Sequence, residues 1–320
     1  VNKFITINNS IYTDKTSVIV SVGNANVIGH QLVTDRRVRL GIKTAPEVLV
    51  ESVCEDYIED LKQAVAKPGK TGLFYASGNS FGEQGFESPI NFRSVPNHMS
   101  NIMIRRTANK VGSFDHVSTD STSCCSGHMS LKIASLMIDA GEIDRALVIS
   151  AEDGLSYSNM VFFDRYNICE TETRKGYFRI GQSANFLLLE NEKSIEQTKN
   201  KKVAQLIDVR IASEDHNSVL GISASGEGYR RVIEKQISTP DIIKTHGTGT
   251  PDNEIENKII SELYPDSQTI SYKGDIGHTL GSAANTEMCM AMNSMSGCIL
   301  SISSGMGNVF SSTLIKTTKE

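Results

Sequence analysis

Asp120-Ser121-Thr122-Ser123-Cys124-Cys125-Ser126-Gly127 is the stretch on which the fold turns. It leads from a short apolar run, Phe114 to Ser118, into Met129 to Ala140. There Met129, Leu131, Ile133, Ala134, Leu136, Met137 and Ile138 leave hardly any polar face. A helix that is apolar nearly all round is buried, and Gly141 stands where a C-cap residue would end it. A thiol at the N-terminus of such a helix meets unpaired N–H groups and the positive dipole end. Both favour the thiolate and lower the thiol pKa. Cys124 and Cys125 can equally be read as small core residues, since free cysteine is among the most buried residue types.

Working outward, strand-like runs alternate with helix-like stretches. Ser17 to Val22, Gly72 to Ala76, Phe114 to Ser118 and Ala146 to Ser150 read as short buried strands, and Glu47 to Val65 as helical. The polar stretch Asn191 to Lys202 separates two halves, 1–193 and 194–320. The second half repeats the pattern: strand Val203 to Ile211, helix Glu227 to Gln236, strand Ile242 to Lys244, helix Asn253 to Leu263 and strand Thr269 to Ser271. A Gly/Ala-rich helix from about Gly281 follows, with strands near Ile299 to Ser303 and Ser312 to Ile315. This βα alternation predicts an α/β fold with helix-covered sheets.

Composition narrows the function classes. The chain has 320 residues, 22% of them charged, with 32 basic against 37 acidic residues and a formal charge of −5. No Lys/Arg block stands out apart from the short Lys199-Asn200-Lys201-Lys202 run, so a nucleic-acid face is not expected. No apolar run approaches the ~20 residues of a membrane helix, and the start lacks the charged and apolar regions of a signal peptide. The six cysteines fit neither a disulfide framework nor a zinc pattern. A reduced, cytoplasmic protein is expected, with no metal and no cofactor, in which any important cysteine acts as a thiol.

Two histidines sit in glycine-rich turns. His246-Gly247-Thr248-Gly249-Thr250-Pro251 follows a strand and precedes a helix. Lys273-Gly274-Asp275-Ile276-Gly277-His278-Thr279-Leu280-Gly281 carries the second. Nearby glycines let the backbone bend sharply and approach a ligand. Each histidine alone is more often a structural turn residue hydrogen-bonded to backbone. The other five, at 30, 98, 116, 128 and 216, default to surface or core roles.

Together, the three segments resemble the β-ketoacyl-acyl-carrier-protein synthases, the ketosynthases of the thiolase superfamily. Thr122-Ser123-Cys124-Cys125-Ser126-Gly127 is similar to their nucleophile motif, and the His246 segment matches their HGTGTP motif letter for letter. Lys273, Ile276-Gly277-His278 and Gly281 match KSNIGHxxG. Glu287 falls at the family's glutamate, and Gly305-Met306-Gly307 resembles the closing GFGG loop. Tyr177 to Ala184 is a weaker match to the GFVxGEGA strand.

The resemblance implies a thiolase-like fold, two similar βα halves packed as a layered α-β-α-β-α sandwich. It also implies decarboxylative Claisen condensation of an acyl thioester with malonyl-carrier protein, in fatty-acid or polyketide synthesis. Cys124 would carry the acyl group. Neutral His246 and His278 would donate N–H groups to the enolate oxygen, and the amides of Cys124 and Met306 would form a second oxyanion hole. Lys273 would orient His278 or add positive potential, and Glu287 would fix Lys273. Thr248 and Thr250, with Gly305 and Gly307, would support the site, and the Met306 side chain would gate it. The implied partners are acyl carrier protein, acyl and malonyl thioesters, and a second chain, identical or ketosynthase-like, docked at the sheet edge. Two alternatives keep the fold: a non-catalytic heterodimer partner, or an acyltransferase or amide-forming enzyme.

The sequence also departs from the family pattern. The chain is shorter than a usual ketosynthase. Tyr177 and Ser183 replace glycines, Gln182 an acid, Asp275 an Asn and Asn308 a Gly. Cys125 stands where Ser, Thr or Ala is usual, and Glu254 and Glu256 match only roughly the acids after HGTGTP.

Overall fold

Side-chain alternation puts the strands to work on two faces at once. In the computed structural model, which describes residues 1–10, 17–22, 25–30, 43–78, 99–218 and 220–318, Leu147 and Ile149 pack to one side of their strand. Ala146 and Val148 pack to the other. Phe186 and Leu188 alternate with Leu187 and Leu189 in the same way. A strand buried on both faces reads as a continuous apolar run, as these do.

The strands are β1 (Lys3–Ser10), β2 (Ser17–Val22), β3 (Ala25–His30), β4 (Thr71–Ala76), β5 (His116–Asp120) and β6 (Arg145–Asp153). They continue with β7 (Gln182–Asn191), β8 (Ala204–Ser213), β9 (Ile242–Lys244), β10 (Gln268–Ile270), β11 (Cys298–Gly305) and β12 (Val309–Thr317). The helices are α1 (Ala45–Glu55), α2 (Ile58–Ala66), α3 (Ser100–Val111), α4 (Ser126–Asp139) and α5 (Tyr157–Arg165). After these come α6 (Glu192–Thr198), α7 (Glu227–Ile233), α8 (Asp252–Leu263), α9 (Lys273–Ile276) and α10 (Ala283–Ser294).

The first half contributes the order β1-β7-β6-β4-β5 and the second β8-β12-β11-β9-β10. Numbered within its own half, each reads first, fifth, fourth, second, third. The pairing senses agree as well: antiparallel, antiparallel, parallel, parallel. The two halves are thus the same unit twice, joined where Lys3 to Ile5 of β1 pairs with Ala204 to Leu206 of β8. Helices α4 and α10 lie between the halves in one core with residues of both sheets. Helices α1 to α3 cover the outer face of the first sheet, and α7 and α8 that of the second. These are the five layers that the resemblance implies.

Some expectations are corrected. Ser17 to Val22 is not a buried core strand: with β3 it forms a separate two-stranded ribbon, and its residues alternate toward solvent. Glu47 to Val65 breaks into α1 and α2 around Asp56 and Tyr57. The strand expected at Phe114 starts two residues later. Helix α4, which follows Cys124, is enclosed along one face and at its start, but Leu136 is 53% exposed. The expected boundary at 193/194 falls inside α6, which caps itself through Asn191 and links β7 to β8. Strand β1, whose residues pair with both halves, was not anticipated. Among the described residues no helix is long and apolar enough to cross a membrane.

One buried polar network pins the first sheet to α6. Arg145 of β6 donates to Ser194 Oγ (2.8 Å) and to the carbonyls of Lys67 (3.0 Å) and Pro68 (2.6 Å), with the fully buried Glu190 carboxylate 4.0 Å away. Removing one partner of a buried ion pair strands the other without water, at about 3–5 kcal/mol. Arg145→Leu should therefore lower the urea-unfolding free energy by about that much. Lys62→Ala, which breaks an exposed pair with Glu59, should cost under about 1 kcal/mol. Equal losses would show that the Arg145 network contributes no more than a surface contact.

Candidate active site

The turn from β5 into α4 is tied down residue by residue. Thr122 donates through its hydroxyl to Asp120 and through its backbone N–H to Ser126 Oγ (2.8 Å). Ser126 in turn donates to the Ser123 carbonyl (2.6 Å). These bonds hold Ser123 at φ 53°, a left-handed conformation that side chains rarely adopt. Cys124 follows in the 3-10 turn that opens the helix.

The expected lowering of the thiol pKa is absent. Burial pushes Cys124 up to about 11, outweighing the Ser123 hydroxyl and the Lys273 charge that pull the other way. Cys124 is thus a protonated thiol at neutral pH, its Sγ 3.2 Å from Nε2 of His278. Burial, then Lys273 and Lys244, holds the His278 imidazole well below its usual pKa, so the ring is neutral beside the thiol. Cys125 points elsewhere. Its Sγ faces the carbonyls of Val309 (3.4 Å) and Ser303 (3.6 Å), and burial raises it to about 12.

His278 is set by the weakly matching Tyr177 to Ala184 segment. Its N–H donates to the Arg179 carbonyl (2.6 Å), its carbonyl accepts from Gly181 (2.9 Å), and its ring meets Phe178 edge to face at 5.0 Å. Within that segment Gln182, which replaces an acid, donates to Asp153. His246 lies across from His278, ring centroids 5.3 Å apart. Its loop hangs on Glu256 of α8, whose carboxylate accepts the backbone N–H groups of His246 and Gly247, the latter at 2.9 Å. Gly249 is required by contact: a Cβ there would stand 2.3 Å from the Gly176 carbonyl. Thr248 and Thr250 share a hydroxyl hydrogen bond of 2.8 Å. Burial, then Lys273, His278 and Lys244, keeps His246 neutral as well.

Lys273 and Glu287 meet as expected, Nζ donating to Oε1 at 2.6 Å. Three residues that were not among the expected site residues complete the surroundings. Lys244 is an ion-pair neighbour of the other Glu287 oxygen at 3.2 Å. Glu256 is the loop anchor. Ser303 donates to the Cys124 carbonyl (2.9 Å) and stands 3.4 Å from His246 Nδ1. A lysine inside the apolar run Ile242-Ile243-Lys244 was the available signal for the first. His128, expected in a surface or core role, is fully buried between Ser311 and Ser301, and His98 lies outside the described residues.

The Gly305-Met306-Gly307 loop sits against Cys124. A Cβ on Gly305 would lie 3.0 Å from Ser123 Cβ and 3.2 Å from the Cys124 nitrogen. Asn308, which replaces a Gly, takes φ 59°, a region asparagine enters more readily than most residues, and its side chain donates to the His216 carbonyl at 2.8 Å. Gly307 takes φ 85° with open space around it. Cys124, His246, His278, Thr248, Thr250 and Met306 share a mostly apolar cavity of about 320 Å³, with Phe163 and Phe178 in its wall.

Residues 203–303, which include His246, Lys273, His278, Glu287 and Ser303, match the family model described as β-ketoacyl synthase, C-terminal domain. A chain from the solved complex of the ketosynthase ApeO with its chain length factor ApeC, from Xenorhabdus doucetiae, shares the fold at a TM-score of 0.80. The identity is 16%, over 99% of this chain and 98% of that one. No curated protein matches by sequence.

The two adjacent thiols should differ in reach. Iodoacetamide, followed by mass mapping, should label Cys124, which lines the cavity, well before Cys125. The Cys124 rate should still be climbing at the highest pH at which the chain stays folded. Faster labelling of Cys125, or a plateau near neutral pH, would contradict the geometry.

Proposed function

For a chain of the ketosynthase type, with a thiolase-like fold and a β-ketoacyl synthase C-terminal domain, we propose that the reaction is decarboxylative condensation of an acyl thioester with a malonyl thioester on acyl carrier protein. The observation that carries this reading is the Cys124 thiol 3.2 Å from a neutral His278, with a second neutral imidazole facing the first in one cavity.

In the first step the Cys124 sulfur attacks the acyl carbonyl, and the thiol proton ends, by way of solvent, on the departing carrier sulfur, so that one thioester is exchanged for another. The tetrahedral oxyanion is received by the amides of Cys124 and Met306. His278 stays neutral throughout, its Nε2–H turned toward Cys124 and the cavity. The malonyl carboxylate then leaves as carbon dioxide, and its electron pair forms an enolate. The enolate oxygen accepts N–H bonds from His246 and His278, which are neutral and need no base to prepare them. The enolate carbon bonds to the acyl carbon, and Cys124 leaves as a thiolate at the helix N-terminus, where it regains a proton from solvent.

Thr248 and Thr250 on the cavity wall would receive the arm that delivers the thioester, and the apolar wall at Phe163 and Phe178 the acyl chain. Lys273 and Glu287 would keep the His278 side of the site polarised. A second reading, that of a non-catalytic heterodimer partner, is favoured by the solved neighbour, which is a ketosynthase in complex with a chain length factor. The intact thiol and both imidazoles favour catalysis.

Incubation with an acyl thioester should place the acyl group on Cys124, and malonyl-carrier protein should then give a β-ketoacyl product. Cys124→Ala should abolish both steps, and Cys125→Ser should keep most of each. His278→Ala should cost roughly 10²–10³ in rate, the size of one lost oxyanion donor. Acylation without carbon–carbon bond formation would turn the assignment to acyl transfer, and no acylation at all would turn it to the non-catalytic partner.

Among the described residues, strand β5 closes one end of the sheet, pairs only with β4 and is half exposed. Such an edge invites a second strand, so we place an identical or ketosynthase-like chain there. Sedimentation should show a dimer, formed alone or on adding a related chain. A monomer with full condensing activity would exclude that arrangement.

A further inference from the structure

Lys244 is the buried charge that the condensing mechanism leaves without a task. It ends β9, two residues before His246, and the alternation of that strand sends it to the same side as Ile242, toward the central helices. Neighbouring Ile243 packs on the opposite, outer face. A lysine ammonium with no solvent is costly unless it is fully partnered. This one donates to the Ile302 carbonyl at 2.8 Å and lies 3.2 Å from Glu287 Oε2. The other oxygen of the same carboxylate accepts from Lys273 at 2.6 Å. All three side chains are at most 2% exposed.

We propose that Lys244 is a second positioning residue of this site, the outer member of a buried ammonium–carboxylate–ammonium row standing behind both histidines. The inference deepens the condensing reading and rests on it. The motif resemblance assigns only Lys273 and Glu287, and a single lysine would already neutralise that glutamate. The second ammonium has an electrostatic consequence: a cation beside an imidazole penalises the imidazolium. An N–H donor for an enolate oxygen must be neutral before and after the step.

The other charged and titratable groups facing this row come from several elements. Glu256 of α8 has both oxygens on backbone amides. His128 of α4 lies between two serines. Cys125 leads into α4, and Glu152 of β6 adds a carboxylate on the Cys124 side. Against these carboxylates Lys244 and Lys273 act in the same direction on His246, His278 and, for Lys244, His128. In each of these rings burial acts first and the lysine charge second.

The sign can be tested without substrate. Removing the Lys244 charge should make the imidazoles easier to protonate, and removing the Glu287 charge should not. The full chain carrying ring-labelled histidine would be titrated by NMR as wild type, Lys244→Met and Glu287→Gln. His246 and His278 resonances would be assigned by substitution. In Lys244→Met the midpoints of both should rise by roughly one pH unit, the usual size of one nearby charge, and the acid limb of condensation should rise with them. Glu287→Gln should show no rise.

Lys244→Gln, which keeps a donor for Ile302, serves as the variant if methionine does not fold. Midpoints unmoved in the folded Lys244 variant, or rising equally in both variants, would overturn the proposal and leave Lys244 a packing residue. A rise in a chain that forms no carbon–carbon bond would sink the condensing reading while leaving the electrostatic role of Lys244 in place.

Discussion

A helix without a solvent face demands apolar sheet on both sides, and α10 is such a helix: Ala283 to Met292 are buried without a break. One sheet cannot enclose it. The doubled unit of this chain answers that demand, since each half supplies a five-stranded face and one central helix. The helices touch where there is no side chain to keep them apart. A Cβ on Gly127 would stand 2.7 Å from Asn285 Cγ, and Asn285 donates to the Gly127 carbonyl at 3.2 Å and to Ser150 Oγ at 2.9 Å. The turns that open α4 and α10 are thereby drawn into the middle of the molecule, and Cys124 and His278 arrive with them.

That placement decides the chemistry available. Taking a group out of water disfavours its charged form, so the thiol is raised and the imidazoles are lowered by one cause. The helix N-terminus remains at Cys124, but at rest it does not outweigh burial. In the condensation proposed above, its use would come when the sulfur leaves as an anion. The site therefore rests as neutral partners, and charge forms only as bonds change, where fixed donors count most.

The departures from the family pattern find local accounts. Asn308 can replace a glycine because asparagine tolerates positive φ, and it adds a tie to the His216 segment. Gln182 in place of an acid becomes a donor to Asp153. Of the two acids that follow HGTGTP loosely, Glu256 is the one turned inward, because position 256 falls on the buried face of α8 while Glu254 faces solvent.

The residues alone disclosed the α/β alternation, the helix behind Cys124 and the two glycine-flanked histidines. Local patterns of apolarity and turn chemistry carry that information. The motif order, through resemblance, supplied the pairing of Lys273 with Glu287. What needed the tertiary structure was whatever depends on the distance between segments far apart in the chain. The matching strand orders of the two halves are of this kind, since nothing in the letters repeats. So are Ser303 between the Cys124 carbonyl and His246, and Lys244 on the far oxygen of Glu287. The thiol pKa was misjudged from sequence for the same reason: a helix dipole is local and legible, whereas desolvation is the sum of everything the fold brings around an atom.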